Sequence, residues 1–217
     1  VSNAPDSFFV IFGLLLRSIF NHSYTPISFR SCYQIPLLKD SAGDVNDCNN
    51  YRDITIANCF SKMFECFIQH RFAHTFITHE LQFAYKPSSS CGHAFFCFSE
   101  VVSFFNSRNT PIYAVFLDAS KAFNRVSHFA LLCRLADAGL PMPVIRALEH
   151  WFRFGSCSIR VLDVFSECYR PKAGIRQGGI LFGNFYTIYI DNLISRLQNS
   201  HLGITCLLYT SPSPRDR

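Results

Sequence analysis

An apolar run that ends on a single carboxylate limits what this chain can become. Ile112-Tyr113-Ala114-Val115-Phe116-Leu117 is rich in β-branched and aromatic side chains. It is followed by Asp118, the small residues Ala119 and Ser120, and a helix-like continuation through Lys121-Ala122-Phe123-Asn124-Arg125-Val126. Such a run reads as a buried strand. A buried strand with an Asp at its C-terminal end sets a charge at the floor of a cleft. Burying that charge without a partner is costly, so a cation or strong hydrogen bonds are implied. Mg²⁺ held by one or two carboxylates plus substrate phosphates meets the requirement. Asp118 as the cap of the following helix meets it too, and on this stretch alone the cap is the simpler reading.

The rest of the chain can supply a core around that strand. Of 217 residues, 49% are hydrophobic and 16% charged, which predicts a folded chain of one good-sized domain with room for two lobes. The formal charge of +5 permits a polyanionic partner without demanding one. Ten cysteines invite a disulfide or zinc framework, but they contain no C-x-x-C pair and no paired ligand spacing. They fall mostly in apolar segments, where a free thiol behaves as a small hydrophobe. An intracellular setting, nucleus or cytoplasm, is expected from that usage. Residues 8–20 are apolar but shorter than the ~20 residues that span a bilayer, and Arg17 interrupts them. A core helix is expected there, with no membrane partner, and no basic leader or cleavage site precedes it.

Taken in order, residues 7–20 predict a helix apolar nearly all round and hence buried. Residues 31–38 predict a strand ending at Lys39-Asp40, then a polar turn region and a short return strand at 54–57. Asn58 is placed to cap a helix running to about His74, with Phe60, Phe64, Phe67, Ile68 and Phe72 as its stripe. His70 and His74 lie one turn apart on it, without a third ligand at a sensible distance, and read as a solvated face. A loop at 82–90 leads to a Phe-rich helix at 92–105. Ser127 opens a helix that Gly139 closes, and Pro143 starts the next, with Val144, Ile145, Leu148, Trp151 and Phe152 inside. A strand pair is expected at 156–164 and 167–172. A glycine turn at 174–179 then leads into an amphipathic helix at 180–197, and a further strand begins at Gly203. Residues 210–217 change composition abruptly, and their two prolines cannot continue that strand.

Four ordered motifs carry a resemblance. Asn50-Tyr51-Arg52 is similar to an N-Y-R-P block, and Gln82-Phe83-Ala84-Tyr85-Lys86-Pro87 to a Q-F-G-F-R-P block. Residues 116–124, F-L-D-A-S-K-A-F-N, are similar to F-x-D-x-x-K-A-F-D. Residues 174–181, G-I-R-Q-G-G-I-L, are similar to a Q-G motif that continues as S-P. Together they resemble the reverse transcriptase domain of LINE-type (non-LTR) retrotransposons. Group II intron and telomerase-type polymerases share the Asp and Q-G motifs, but the spacing of N-Y-R to Q-F favours the LINE type.

The resemblance implies an α+β polymerase fold of palm and fingers, truncated before the thumb. Residues 1–30 would form an N-terminal helical extension, residues 31–209 the incomplete fingers and palm, and residues 210–217 a non-native tail of linker or adapter origin. The implied partners are RNA template, DNA primer and dNTPs, with Mg²⁺ as cofactor; oligomeric state stays open. Asp118 would be the catalytic residue and the metal ligand. Lys39 and Arg52 would grip the triphosphate, a role that charge-assisted bonds suit. Phe123 would crowd a ribose 2′-hydroxyl, or simply pack in the core. Gln177 would lie near the nucleotide sugar or template base, with Gly178 letting the backbone approach closely. Lys86 would touch the nucleic-acid backbone, and Lys121 would do the same or pair with a nearby acid.

The chain also departs from that pattern. Thr210-Ser211 stand after Tyr209, where the family's Tyr-x-Asp-Asp acids are expected, and Asp216 fills neither place. Asp53 replaces Pro, Ala84 replaces Gly, Asn124 replaces Asp, and Phe182-Gly183 replace Ser-Pro. Two metal ions on Asp118 alone would be under-coordinated. The expectation is a domain that is RNA-directed DNA polymerase by family but itself inactive; a non-catalytic nucleic-acid-binding remnant or a pseudogene product is the alternative.

Overall fold

The computed structural model describes residues 4–119 and 121–200. Its content is α+β, with a sheet arranged β2-β1-β3-β4; in place of the strand expected at 167–172 there is a two-residue β4 and an isolated bridge from Cys157 to Tyr169. The strands are β1 (Ser31–Leu38), β2 (Tyr51–Ala57), β3 (Ser156–Val161) and β4 (Val164–Phe165). The first two form an antiparallel hairpin whose register runs from Cys32 opposite Ala57 to Leu38 opposite Tyr51. β3 joins the other side of β1 in parallel, from Ser31 opposite Ser156 to Gln34 opposite Ile159. Pro36 therefore lies beyond β3, on a stretch of β1 with a free edge, where a missing N–H harms no ladder.

Two compact units divide the described residues. The first is drawn from Val1–Ile77 and Lys121–Tyr186, the second from Thr78–Ser120 and Thr187–Arg217. In the first unit, α1 (Asp6–His22) packs on α6 (Met142–Arg153), and α5 (His128–Asp137) packs on α6 as well. The short α2 (Ile27–Arg30) bridges α6 and α3 (Cys59–Arg71). Phe29, Phe64, Ile68, Leu131, Leu135, Leu148 and Trp151 make the core. Asn58 caps α3 as expected, accepting from Ser61 N at 2.8 Å. Ser127 caps α5 by accepting from Ala130 N, and Gly139 turns the chain away with φ +87°.

α1 corrects the expectation of a helix buried all round. Phe12, Leu16 and Ile19 are buried, but Phe9, Val10, Ile11 and Leu14 are exposed. A helix pressed from one side covers one stripe, whatever its composition. α3 is shorter than expected, and a 3₁₀ turn at Ala73–Phe76 follows it. Among the described residues, no helix is long and apolar enough to cross a membrane.

The second unit holds α4 (Cys91–Asn106), none of whose residues is buried. α7 (Phe182–Asn199) begins in the first unit and continues in the second. Residues 111–119 form no regular secondary structure, which corrects the buried strand expected at 112–117. Tyr113 is 91% exposed and Leu117 80%. A strand exists only through its ladder, and among the described residues nothing pairs with this segment. The strand expected from Gly203 lies outside the described residues, as do residues 210–217.

Candidate functional site

The first group of expected residues sits on the β1–β2 hairpin. Arg52 is exposed and faces Leu37 across the ladder. Lys39 follows Leu37 by two, and its backbone N donates to Asn50 O at 2.7 Å, so the pairing persists past the strand end. Strand alternation therefore puts both cations on one face near the hairpin tip. The Lys39 ammonium donates to Asn49 O at 2.8 Å, and the side chain remains exposed.

The glycine turn is held by backbone hydrogen bonds to residues 123–126 and to β2. Its entry lies against residues 123–126: Gly174 N donates to Val126 O at 2.8 Å and Ile175 N to Phe123 O at 3.1 Å. A Cβ on Gly174 would meet the Asn124 backbone at 3.1 Å, and its φ of +93° already favours glycine. Arg176 then clamps the turn. Its guanidinium lies 4.2 Å from the Trp151 ring centroid and donates to Ser61 Oγ at 3.3 Å and to Arg30 O. Gln177 O accepts from Thr55 N at 2.7 Å, tying the turn to the free edge of β2. At Gly178, φ is +106° and a Cβ would stand 2.9 Å from Thr55 O. The close approach expected of this glycine is thus made to the protein's own backbone.

Sequence reasoning passed over Glu65. Only 1% exposed, it accepts from Leu181 N at 3.1 Å at the entry to α7. A Cβ on Gly179 would come within 2.8 Å of its Oε2. Burial pushes its carboxyl above the ordinary range, opposed by the Leu181 amide and by Arg176. The available signal was that Glu65 is the sole acid between residues 58 and 72, next to Phe64 and one turn before Ile68 of the apolar stripe.

The remaining expected residues are placed differently. Phe123, half-buried in a 3₁₀ turn, packs 4.5 Å from both the Phe182 and Tyr186 rings. Lys121 is exposed, with φ +51° in the turn before it. Asp118 is exposed, and the helix expected after it is replaced by a turn at residues 121–122 and a 3₁₀ turn at Phe123–Arg125. Lys86 directs its ammonium to Thr78 O at 3.0 Å and to His79 O, closing its own loop. Asp118 and Lys86 belong to the second unit; Lys39, Arg52, Lys121, Phe123, Gln177 and Gly178 belong to the first. His70 and His74 are exposed. No cluster of three or more His, Cys, Asp or Glu side chains able to hold a metal occurs among the described residues.

A cavity of about 240 Å³ opens on one face of the sheet, lined by Gln34, Asp53 and Thr55 with Trp151 and Arg176. None of the expected site residues lines it, but their neighbours Asp53, Asn124 and Arg176 do. Tyr169 donates to Gln34 Oε1 there, and burial holds its hydroxyl well above the ordinary range. Across the β1–β3 pair, a hydrogen bond from Cys157 holds the Cys32 thiol below its ordinary value and itself keeps Cys157 high.

Comparison with known proteins gives the family. Residues 38–210 match the family model described as reverse transcriptase (RNA-dependent DNA polymerase). The chain is also similar to the retrovirus-related Pol polyprotein from type-1 retrotransposable element R2 of Bradysia coprophila, 23% identical over 151 residues. That match takes in 69% of this chain and 17% of the relative, so the chain spans about a sixth of the polyprotein's length. Residues 38–210, the span of the family model, contain the hairpin cations, the Asp118 segment and the glycine turn, in the order of the four motifs. The chain belongs to the reverse transcriptase (RNA-dependent DNA polymerase) family, as a domain of the non-LTR retrotransposon type.

Proposed function

We propose that this chain is the fingers-and-palm part of a non-LTR reverse transcriptase that binds nucleotide and nucleic acid but does not polymerise. The glycine turn carries the reading. Its peptide backbone is tied to β2 through Gln177 and Gly178, on the hairpin that also bears Lys39 and Arg52. In this reading residues 31–209 hold the fingers and palm, and residues 1–30 extend them. Gln177 and Gly178 face the nucleotide, Phe123 its sugar, and Lys39 and Arg52 its phosphates. Lys121 lies along the nucleic-acid backbone, and Lys86 shapes the loop of its own unit that would contact nucleic acid.

Mg²⁺ would supply charge neutralisation at the reacting phosphate. The residues present do not fit a metal pair. Asp118 is a lone exposed carboxylate, no metal-holding cluster occurs among the described residues, and the next acid after Tyr209 in the sequence is Asp216. Primer extension on an RNA template with dNTPs and Mg²⁺ tests this directly: no incorporation above background is expected, and clear incorporation would refute it. Binding is tested separately by filter retention of the primer-template against salt. About three phosphate contacts would give a log–log slope of roughly −2 to −3. A flat salt response would leave the chain with no nucleic-acid role.

A further inference from the structure

Glu65 is a buried carboxylate that the nucleotide-binding reading does not use. It lies on α3, remote in sequence from the motifs, with Oε2 accepting from Leu181 N at 3.1 Å. Leu181 is the residue whose carbonyl accepts the first bond of α7, from Phe185 N at 2.8 Å, so Glu65 grips the cap of that helix. A carboxylate at this end is favoured by the helix dipole. The charged groups that reach it are Arg176 from the turn and Lys62 from its own helix, and neither forms an ion pair with it among the described residues. Its other oxygen, Oε1, is buried with no hydrogen-bond partner there. An acid held so far out of water is expensive, and an apolar residue would fill the core with less penalty. What the acid alone supplies is an acceptor for the chain just after Gly178-Gly179.

The two glycines show how tightly that acceptor defines the turn. Gly178 is pressed on Thr55 O from one side, and Gly179 on Glu65 Oε2 from the other. The turn is thus held between β2 and α3, with Arg176 bracing its entry. We propose that Glu65 is a positioning residue for nucleotide binding, fixing the peptide planes of Gln177, Gly178 and Gly179 through the cap of α7. The inference rests on the reading of this turn as a nucleotide contact.

The test compares the full chain with its Glu65→Leu and Glu65→Gln forms. One readout is amide hydrogen exchange across residues 176–185, and the other is equilibrium binding of dATP with Mg²⁺ under conditions where the circular dichroism is native. Glu65→Leu removes the acceptor, and exchange at residues 179–181 should quicken about tenfold, the size of one lost buried hydrogen bond. dATP affinity should fall by a similar factor. Glu65→Gln keeps an oxygen acceptor and should restore both, which mere space-filling would not explain. Unchanged exchange in the Leu form, or failure of the Gln form to restore it, overturns the positioning role. Faster exchange with unaltered dATP affinity instead overturns the nucleotide role of the turn. If the Leu form does not fold, the Gln form decides alone: native exchange and affinity support the proposal, and loss of either overturns it.

Discussion

Gly178→Ala should weaken the first unit severely, and the structure allows the size to be worked out. At φ +106° an L-side chain is strained by about 1–2 kcal/mol. The added Cβ would stand 2.9 Å from Thr55 O, a distance that real Cβ atoms do not adopt. Thr55 cannot yield easily, because its amide is bonded to Gln177 O and its strand is paired along its length with β1. Overpacking against such a wall costs about 1–3 kcal/mol more. The total, about 2–5 kcal/mol, is a large share of the 5–15 kcal/mol typical of a folded domain. Gly139→Ala is the internal control: its φ is +87°, but a Cβ there meets nothing within 4 Å. It should show the strain alone, about 1–2 kcal/mol. Urea unfolding followed by fluorescence of the single tryptophan, Trp151, reports on the same unit. Equal losses for the two variants would refute the close contact between turn and strand.

Asn58→Ala removes the α3 cap and its bond to Ser28 O, and should lower stability by about 1 kcal/mol in the same urea assay. Glu65 titrates above its ordinary value, so the stability it contributes is present below the ordinary carboxylate range and is lost as pH rises through its raised one. Glu65→Gln should flatten that part of a stability–pH curve. Burial holds His128 below its ordinary 6.5, so its contribution is present above 6.5 and is lost as pH falls through the lowered value; His128→Phe should remove that acid-side loss. Arg52→Ala should weaken Mg²⁺–dNTP binding about tenfold, as one lost charge-assisted bond would, with no change in unfolding midpoint.

Local signals were read well where they were complete in themselves. Asn58 before α3, Ser127 before α5 and Gly139 after it each carry their own mechanism, and each is found doing that work. The hairpin was legible because its turn and strands lie together. Residues 112–117 were not, because β-type composition shows willingness to pair and not the presence of a partner. α1 failed for a related reason: composition records what could be buried, and packing decides which side is. Lys86 looked like a free cation because sequence cannot show that its ammonium reaches back to Thr78 O. Glu65 stayed hidden because it meets Leu181 across 116 residues of chain.

Two departures from the family pattern, Asn124 and Asp53, fall where the local backbone contacts do not depend on their side chains. Asn124 stands in place of an acid, yet what limits Gly174 is the Asn124 backbone, at 3.1 Å from a would-be Cβ. Gly178 is set by Thr55 O and Gln177 by Thr55 N, two further backbone contacts that no side-chain change beside them touches. Asp53 pairs with Pro36 in a hairpin whose register continues undisturbed on both sides. Backbone-to-backbone contacts survive substitutions that abolish chemistry, because they ask only for glycine where Cβ would collide and for an N–H where a carbonyl waits. Chemistry asks for particular carboxylates at particular places, and here Asp118 stands exposed without a metal-holding cluster among the described residues. The proposed reading therefore separates shape from catalysis, which is why binding and primer extension must be measured apart.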